Sequence, residues 1–213
     1  MNCPYCNNQK CYSLSNGHKK CSRCRKKFSP KKIIQKEILW KCFKKGINAT
    51  KCAKSQKMHI ATVLKHYMNF RRELAIIADK EYYKNSHKVT GYDEYLYLPK
   101  SLKVEENIDK LQHFLTLSYD NKVYNIMMPS IKKYGSNPDK LLLKYLQFNR
   151  VSKISTAQNT ITKFWDYFEE FILQYKGVNS ENFIYYLKEA EWRFNFELRV
   201  KSYYSSQFLI LNS

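Results

Sequence analysis

The sequence predicts an α+β protein in which a small cysteine-bearing β-module and three helices precede a larger domain of strands and helices. Two Cys-x-x-Cys pairs lie within the first 24 residues. Apolar residues then recur with helical spacing through residue 74, and segments that alternate with a period of two appear after residue 90. A chain of 213 residues has room for one or two domains.

The first element contains two knuckles, Cys3-Pro4-Tyr5-Cys6 and Cys21-Ser22-Arg23-Cys24, with fourteen residues between them. Four thiolates at about 2.3 Å satisfy a tetrahedral zinc ion and leave no position for water, so the predicted zinc is structural. The spacer is shorter than usual, but a hairpin of 10–15 and 19–20, turning at Asn16-Gly17, would span it. Disulfides or free thiols remain the alternatives.

The cysteine count bears on the compartment. Seven cysteines are an odd number, and the sequence carries no recognisable signal peptide, so we expect a reducing cytoplasm. No apolar run approaches the roughly eighteen residues that would cross a membrane. We therefore expect a soluble chain without a membrane partner.

Charge is concentrated in the first part of the chain. Residues 1–90 contain 22 Lys and Arg against four Asp and Glu, a net charge of +18 out of +20 for the whole protein. A basic module beside a zinc site favours double-stranded DNA as the partner, because phosphate contacts and counterion release supply affinity without sequence readout. A merely solvated basic surface is the alternative.

Three helices are predicted after the second knuckle. The first has an apolar stripe of Ile34, Ile38, Leu39, Cys42 and Phe43 and ends at Gly46. Asn48 caps a short second helix that ends near Ser55. The third runs from about 59 to 74 and turns five residues inward: Val63, Leu64, Tyr67, Phe70 and Leu74.

A tight turn between the second and third helices is typical of a helix-turn-helix, whose third helix presents its first residues to base edges. The predicted base-edge residues are Lys57, His59, Thr62, Lys65 and His66. Phosphate contacts are expected from the second knuckle, the connector after it and the later part of the third helix, namely Arg23, Arg25, Lys26, Lys27, Lys31, Lys32, Arg71 and Arg72. An ordinary helical bundle with basic faces is the alternative.

The second half opens with a polar connector at about 75–90 and a short alternating segment at Asp93-Glu94-Tyr95-Leu96-Tyr97. Residues 114–118 and 123–127 flank Asp120-Asn121, which predicts a β-hairpin. Helices are expected at 140–148, 161–176 and 182–195.

The C-terminal region carries a resemblance. Its segments are Asn159-Thr160-Ile161-Thr162-Lys163-Phe164-Trp165, Lys176-Gly177-Val178, Asn182-Phe183 and Tyr186-Leu187-Lys188-Glu189-Ala190-Glu191-Trp192-Arg193-Phe194-Asn195. They resemble the end of ISXO-type bacterial insertion-sequence transposases, and the N-terminal order of zinc ribbon and helix-turn-helix is similar to theirs. The resemblance covers both ends of the chain and, more weakly, the middle. It implies a cytoplasmic, nucleoid-associated protein that acts as a homo-oligomer.

The resemblance also implies an RNase H-like core in which two Asp and a Glu, or in some members an Asn, hold two divalent metals for strand transfer. Asp93 matches the first metal ligand. Thr162 stands where the family has its glutamate, and a hydroxyl is a poor substitute for a carboxylate. Only 29 residues separate Pro129 from Asn159, which is too short for the segment that carries the second aspartate.

The predicted organisation is a zinc ribbon at 1–30, a helix-turn-helix domain at 31–75, a linker at 76–90 and a shortened RNase H-like core at 91–213. The expected function is DNA binding by a catalytically inactive transposase-like protein with structural Zn²⁺. One alternative is an active transposase that uses Mg²⁺ and Asp93, with displaced carboxylates such as Asp166 or Glu169. The other is a zinc-ribbon adaptor that binds proteins or regulates transcription.

Overall fold

The structure, a computed structural model, describes residues 1–99, 102, 107, 110–129 and 159–211. It divides into two compact units, Met1–Phe70 and Arg71–Ser213. Helices and two three-stranded antiparallel sheets are both present, in agreement with the predicted α+β class.

The first unit begins with a small sheet of β1 (Cys11–Ser13), β2 (Lys19–Cys21) and β3 (Lys27–Phe28) in that order. The β1–β2 loop has three residues rather than the predicted two. Leu14 N–H bonds His18 O at 2.8 Å, and Gly17 has φ +75°. A three-residue loop with glycine in the left-handed region is a standard hairpin connection. It places Cys11 directly opposite Cys21.

Three helices follow, α1 (Pro30–Lys44), α2 (Ala49–Ser55) and α3 (Ile60–Asn85). Gly46, with φ +73°, ends α1 as predicted: its N–H and that of Ile47 bond back to Phe43 O and Cys42 O. The predicted cap of α2 is also confirmed, since Asn48 Oδ1 accepts the Lys51 N–H at 2.8 Å.

The core of the first unit is aromatic. Phe43 packs against Tyr67 and Phe70 with ring centroids 5.1 and 5.5 Å apart. Of the five residues predicted to face inward from α3, Val63, Tyr67, Phe70 and Leu74 are buried. The prediction for Leu64 is wrong, because half of its surface is exposed. Ile34, in the predicted stripe of α1, is equally exposed.

The segment predicted to be a polar linker, 76–90, is not one. α3 continues to Asn85, a 3₁₀ turn spans Ser86–Lys88, and a strand begins at Val89. The later part of α3 belongs to the second unit. There Ala78 and Tyr82 pack against one face of that unit's sheet, at Leu117, Tyr119 and Tyr124.

The sheet of the second unit is an antiparallel meander of β4 (Val89–Tyr97), β5 (Gln112–Tyr119) and β6 (Lys122–Met127). The predicted hairpin is confirmed. Asp120 and Asn121 have φ of +46° and +59°, the left-handed pair that a type I′ turn requires and that these residue types tolerate.

Two further helices, α4 (Thr160–Ile172) and α5 (Ser180–Leu211), cover the opposite face of the sheet. Their core includes Phe114, Phe164, Phe168, Phe183 and Leu187. The helix expected at 140–148 lies outside the described residues. Within those residues, no helix combines the length and apolar character that crossing a membrane requires.

Candidate metal centre and nucleic-acid interface

The two cysteine knuckles have matching backbone geometry. In the first, Asn7 N–H bonds Cys3 O at 2.9 Å, and in the second, Arg25 N–H bonds Cys21 O at 3.1 Å. Asn7 and Arg25, which directly follow the second cysteine of each pair, have φ of +56° and +55°. Both turns therefore curl around the same central point.

The four sulfurs converge at that point. Cys3 Sγ lies 3.5 Å from Cys24 Sγ, and Cys6 Sγ lies 3.5 Å from Cys21 Sγ. All four lie within 4.8 Å of one another. A tetrahedral zinc ion with bonds of about 2.3 Å needs sulfurs about 3.8 Å apart. The sulfur-only donor set and its spacing fit such an ion.

Hydrogen bonds favour a thiolate at Cys21. Burial opposes ionisation, but N–H donors from the backbone of Cys24, the side chain of Asn8 and the backbone of Arg23 lower the pKa of Cys21 to about 6. Asn8 Nδ2 lies 3.6 Å from Cys21 Sγ. At Cys24 the Lys26 backbone N–H favours the thiolate, yet burial and the neighbouring thiols raise the pKa to about 12. A cation at the centre would offset the repulsion between neighbouring thiolates and so favour ionisation of Cys24.

A fifth cysteine adjoins the quartet. Cys11 packs against the cluster of Cys3, Cys21 and Phe28, and its thiol lies 3.8 Å from Asn8 O. Burial, followed by the charges of Cys21 and Cys3, raises the pKa of Cys11. The predicted hairpin could have placed Cys11 beside the quartet. A two-residue turn at Asn16-Gly17, however, sets a strand register one residue away from the observed one, in which Cys11 pairs with Cys21.

Most of the predicted DNA-binding side chains are accessible. Thr62 and His66 are half-buried. Burial, followed by the charges of Lys36 and Lys65, lowers the pKa of His66, so this ring is neutral at pH 7. The exposed members are Arg23, Arg25, Lys26, Lys27, Lys31, Lys32, Lys57, His59, Lys65 and Arg72.

Several of these residues line one groove of about 450 Å³ between α1 and the start of α3. Lys31, Lys57, His59 and Thr62 contribute polar groups, and the apolar part comes from Ile34, Ile38 and Met58. The exposed side of Ile34, which the α1 stripe assigned to the core, thus lines this groove.

The turn before α3 holds a lysine in an unusual conformation. Lys57 has φ +50°. Its N–H bonds Lys54 O at 3.3 Å, and the next N–H, of Met58, bonds Ala53 O at 2.9 Å. This is a Schellman ending of α2, in which glycine normally occupies the left-handed position.

The predicted phosphate contact at Arg71 is wrong. Only 3% of the Arg71 side chain is exposed, and Nε lies 2.6 Å from Glu189 Oε2. The guanidinium also lies over the rings of Tyr186 and Tyr175, at 4.1 and 5.1 Å. Glu189 in addition accepts a hydrogen bond from Arg193 Nη2 at 2.6 Å, an i, i+4 ion pair within α5. Arg71 is thus a core ion-pair residue.

The residues matched to the family's metal ligands do not assemble into a cluster in the described part of the chain. Asp93 lies exposed on β4, and its Oδ1 accepts the Glu94 N–H. Thr162 closes a capping box with Asn159 at the start of α4. Asp166 is exposed, and Glu169 accepts the Tyr95 hydroxyl. Across the described ranges, the cysteine quartet is the only group of three or more His, Cys, Asp or Glu placed to share a metal.

A polar network that the sequence did not predict links α4, β5, β6 and α5. Trp165 Nε1 donates to Thr116 Oγ1, and Thr116 donates to Asn125 Oδ1, at 2.9 and 2.7 Å. Glu191 accepts both the backbone and the side-chain N–H of Asn125 and pairs with Lys188 at 3.0 Å. The polar residues of the C-terminal segment that take part in this network, Lys188 and Glu191, therefore have a structural role.

Asn195 extends this arrangement to the outer edge of β6. Its side chain accepts the Val123 N–H and donates to Val123 O, both at 2.9 Å. The N–H and carbonyl of Val123 and the N–H of Asn125 thereby obtain partners from α5 side chains.

Comparison of the chain with models of protein families, with curated proteins and with solved structures finds no match.

Proposed function

We propose that this chain is a zinc-stabilised, double-stranded-DNA-binding protein of the transposase-like class whose C-terminal part lacks strand-transfer activity. The observation that carries the proposal is the groove at the start of α3, lined by Lys31, Lys57 and His59, within residues 1–90, whose net charge is +18.

Charge and shape support DNA rather than a small anion. Exposed cations extend from the second knuckle, at Arg23 and Arg25, through Lys31 and Lys32 at the start of α1. A spread of this kind matches a polymer of phosphates better than one compact ligand. The short α2 and the tight turn at Lys57 support a helix-turn-helix, in which α3 would approach the major groove.

The proposed loss of strand-transfer activity rests on the positions of the carboxylate residues. Two-metal strand transfer needs several carboxylates around two ions a few ångströms apart. Asp93 is exposed on its strand, and Thr162 uses its hydroxyl in a helix cap. The RNase H-like assignment of the second unit remains part of the proposal.

The test is binding of the full zinc-loaded chain to a fluorescent DNA duplex at several salt concentrations. We expect log K to fall with log [NaCl] with a slope steeper than about −3, corresponding to more than three neutralised phosphates. The double variant Lys57→Gln/Lys65→Gln should reduce that slope by about two, one for each lost phosphate contact.

The matched control removes the same charge from the other unit. Lys163 and Lys176 are exposed on and just after α4, so Lys163→Gln/Lys176→Gln should leave the slope unchanged. A flat salt dependence for the parent chain, or equal losses in both variants, would contradict the proposal. Capture of a protein partner by a chain that binds no DNA would favour the adaptor alternative.

A further inference from the structure

Cys11 is a spare thiol placed against the metal centre. It does not belong to the group of four, yet it packs against the same cluster as Cys3 and Cys21. In the register of β1 and β2, Cys11 stands directly opposite Cys21, and opposite residues of a sheet project to the same face.

The hydrogen bonds define what kind of pair this is. Ser22 N–H bonds Lys10 O at 3.1 Å, and Leu14 N–H bonds His18 O at 2.8 Å. Bonded and non-bonded pairs alternate along an antiparallel ladder, so Cys11 and Cys21 form a non-bonded pair. Such pairs bring Cα atoms to about 4.5 Å, inside the range that a disulfide requires.

We infer that Cys11 is an oxidation site that forms a disulfide with Cys21 under peroxide and releases the zinc ion. The inference rests on the proposed zinc site. Cys11 is half-buried, so a small oxidant can reach it.

The chemistry balances with hydrogen peroxide as the oxidant. The half-buried Cys11 sulfur attacks the peroxide, forming an S–O bond and breaking the O–O bond, and its thiol proton passes to the departing oxygen, which gives a Cys11 sulfenic acid and one water. The Cys21 thiolate then attacks the Cys11 sulfur, forming the S–S bond and expelling hydroxide. The products are therefore the disulfide, one water and one hydroxide. The two sulfurs supply the two electrons that reduce the peroxide.

Loss of Cys21 leaves three thiolates on the ion, Cys3, Cys6 and Cys24. A structural zinc site depends on four ligands. Oxidation should therefore open the site, and reduction in the presence of zinc should restore it.

The experiment treats the full zinc-loaded chain with hydrogen peroxide and records released zinc with a chromogenic chelator. Peptide mapping by mass spectrometry then identifies the disulfide. We expect a Cys11–Cys21 link, and we expect Cys11→Ser to release zinc at least about tenfold more slowly because the accessible thiol that reacts with peroxide is gone. Cys52→Ala, which removes a buried thiol of α2, is the matched control and should behave like the parent.

Three results would overturn the inference. Release from Cys11→Ser at the parent rate would show that Cys11 takes no part. A mapped link between two members of the quartet would assign the reaction to the ligands alone. A chain that contains no zinc before oxidation would overturn the proposed metal centre as well, so the two failures are distinguishable.

Discussion

Arg71 donates a hydrogen bond of 2.6 Å to Glu189, and each side chain is at least 97% buried. The partners lie 118 residues apart in sequence and join α3 to α5 within the second unit. Burial opposes ionisation of Arg71, but Glu189 more than compensates and raises the pKa of the guanidinium. Arg71 therefore keeps its charge inside the core.

Arg71→Gln should lower the free energy of unfolding by about 3 to 5 kcal/mol, because it leaves a buried carboxylate with less compensation. Urea denaturation measures this loss. The adjacent Arg72 is exposed and lies over the Tyr185 ring at 5.4 Å, so Arg72→Gln should cost less than about 1 kcal/mol. The Arg72→Gln variant should also bind DNA with a smaller slope of log K against log [NaCl]. Equal destabilisation by the two changes would contradict the assignment of Arg71 to the core.

Lys57→Gly should stabilise the chain and weaken DNA binding together. Glycine adopts the left-handed conformation at this turn without a Cβ clash, which should raise the free energy of unfolding by about 0.5 to 1 kcal/mol. Removal of the charge should reduce the salt slope by about one. Lys54→Gly, within α2, removes an equal charge but should destabilise by about 0.5 to 1 kcal/mol. A stability loss in Lys57→Gly would show that the lysine side chain supports the turn.

Zinc binding should displace more protons at low pH. The pKa of Cys21 is lowered to about 6, so this thiol is ionised at pH 7.5 and mostly protonated at pH 5. Protons released per zinc should rise by about one between those values. Calorimetry in buffers of different ionisation enthalpy measures the number. Asn8→Ala removes a donor to Cys21 Sγ and should move the change to higher pH. If the number of protons released per zinc did not change with pH, the result would contradict the lowered pKa of Cys21.

Thr162→Glu restores the family's acid but should not restore cleavage. The position is the third residue of α4 and closes a capping box with Asn159, where glutamate is the commonest partner, so stability should change by less than about 0.5 kcal/mol. Plasmid nicking with Mg²⁺ or Mn²⁺ is the measurement. Metal-dependent nicking that Asp93→Ala abolishes would instead favour the active-transposase alternative.

Local signals predicted much of the fold. The knuckles, the cap at Asn48, the glycine after α1 and the Asp120-Asn121 turn are each specified by adjacent residues. Their conformational preferences do not depend on distant partners, which is why the sequence reports them correctly.

The errors arose where partners are distant in sequence. Asp79 and Glu81 fall in the segment 75–90, which the sequence predicts to be a polar connector. In the structure Asp79 accepts the Tyr124 hydroxyl and Glu81 pairs with Lys122, at 2.7 Å in both cases. These two charged residues, which are typical of a linker, instead hold the later part of α3 against β6. Arg71 was misassigned for the same reason.

The candidate metal centre could be predicted down to its ligands, because two knuckles specify four sulfurs. The place of Cys11 could not, because a one-residue change in loop length decides which residue it faces. The three-residue loop at Ser15, Asn16 and Gly17 is visible only in the backbone hydrogen bonds.

The Asn195 side chain imitates a neighbouring strand. Because Asn195 occupies both the N–H and the carbonyl of Val123 and Glu191 occupies the N–H of Asn125, these three backbone groups of β6 are not available to pair with another strand. Unprotected strand borders recruit other chains into aggregates. The side chains of Asn195 and Glu191 should therefore reduce strand pairing along this part of β6.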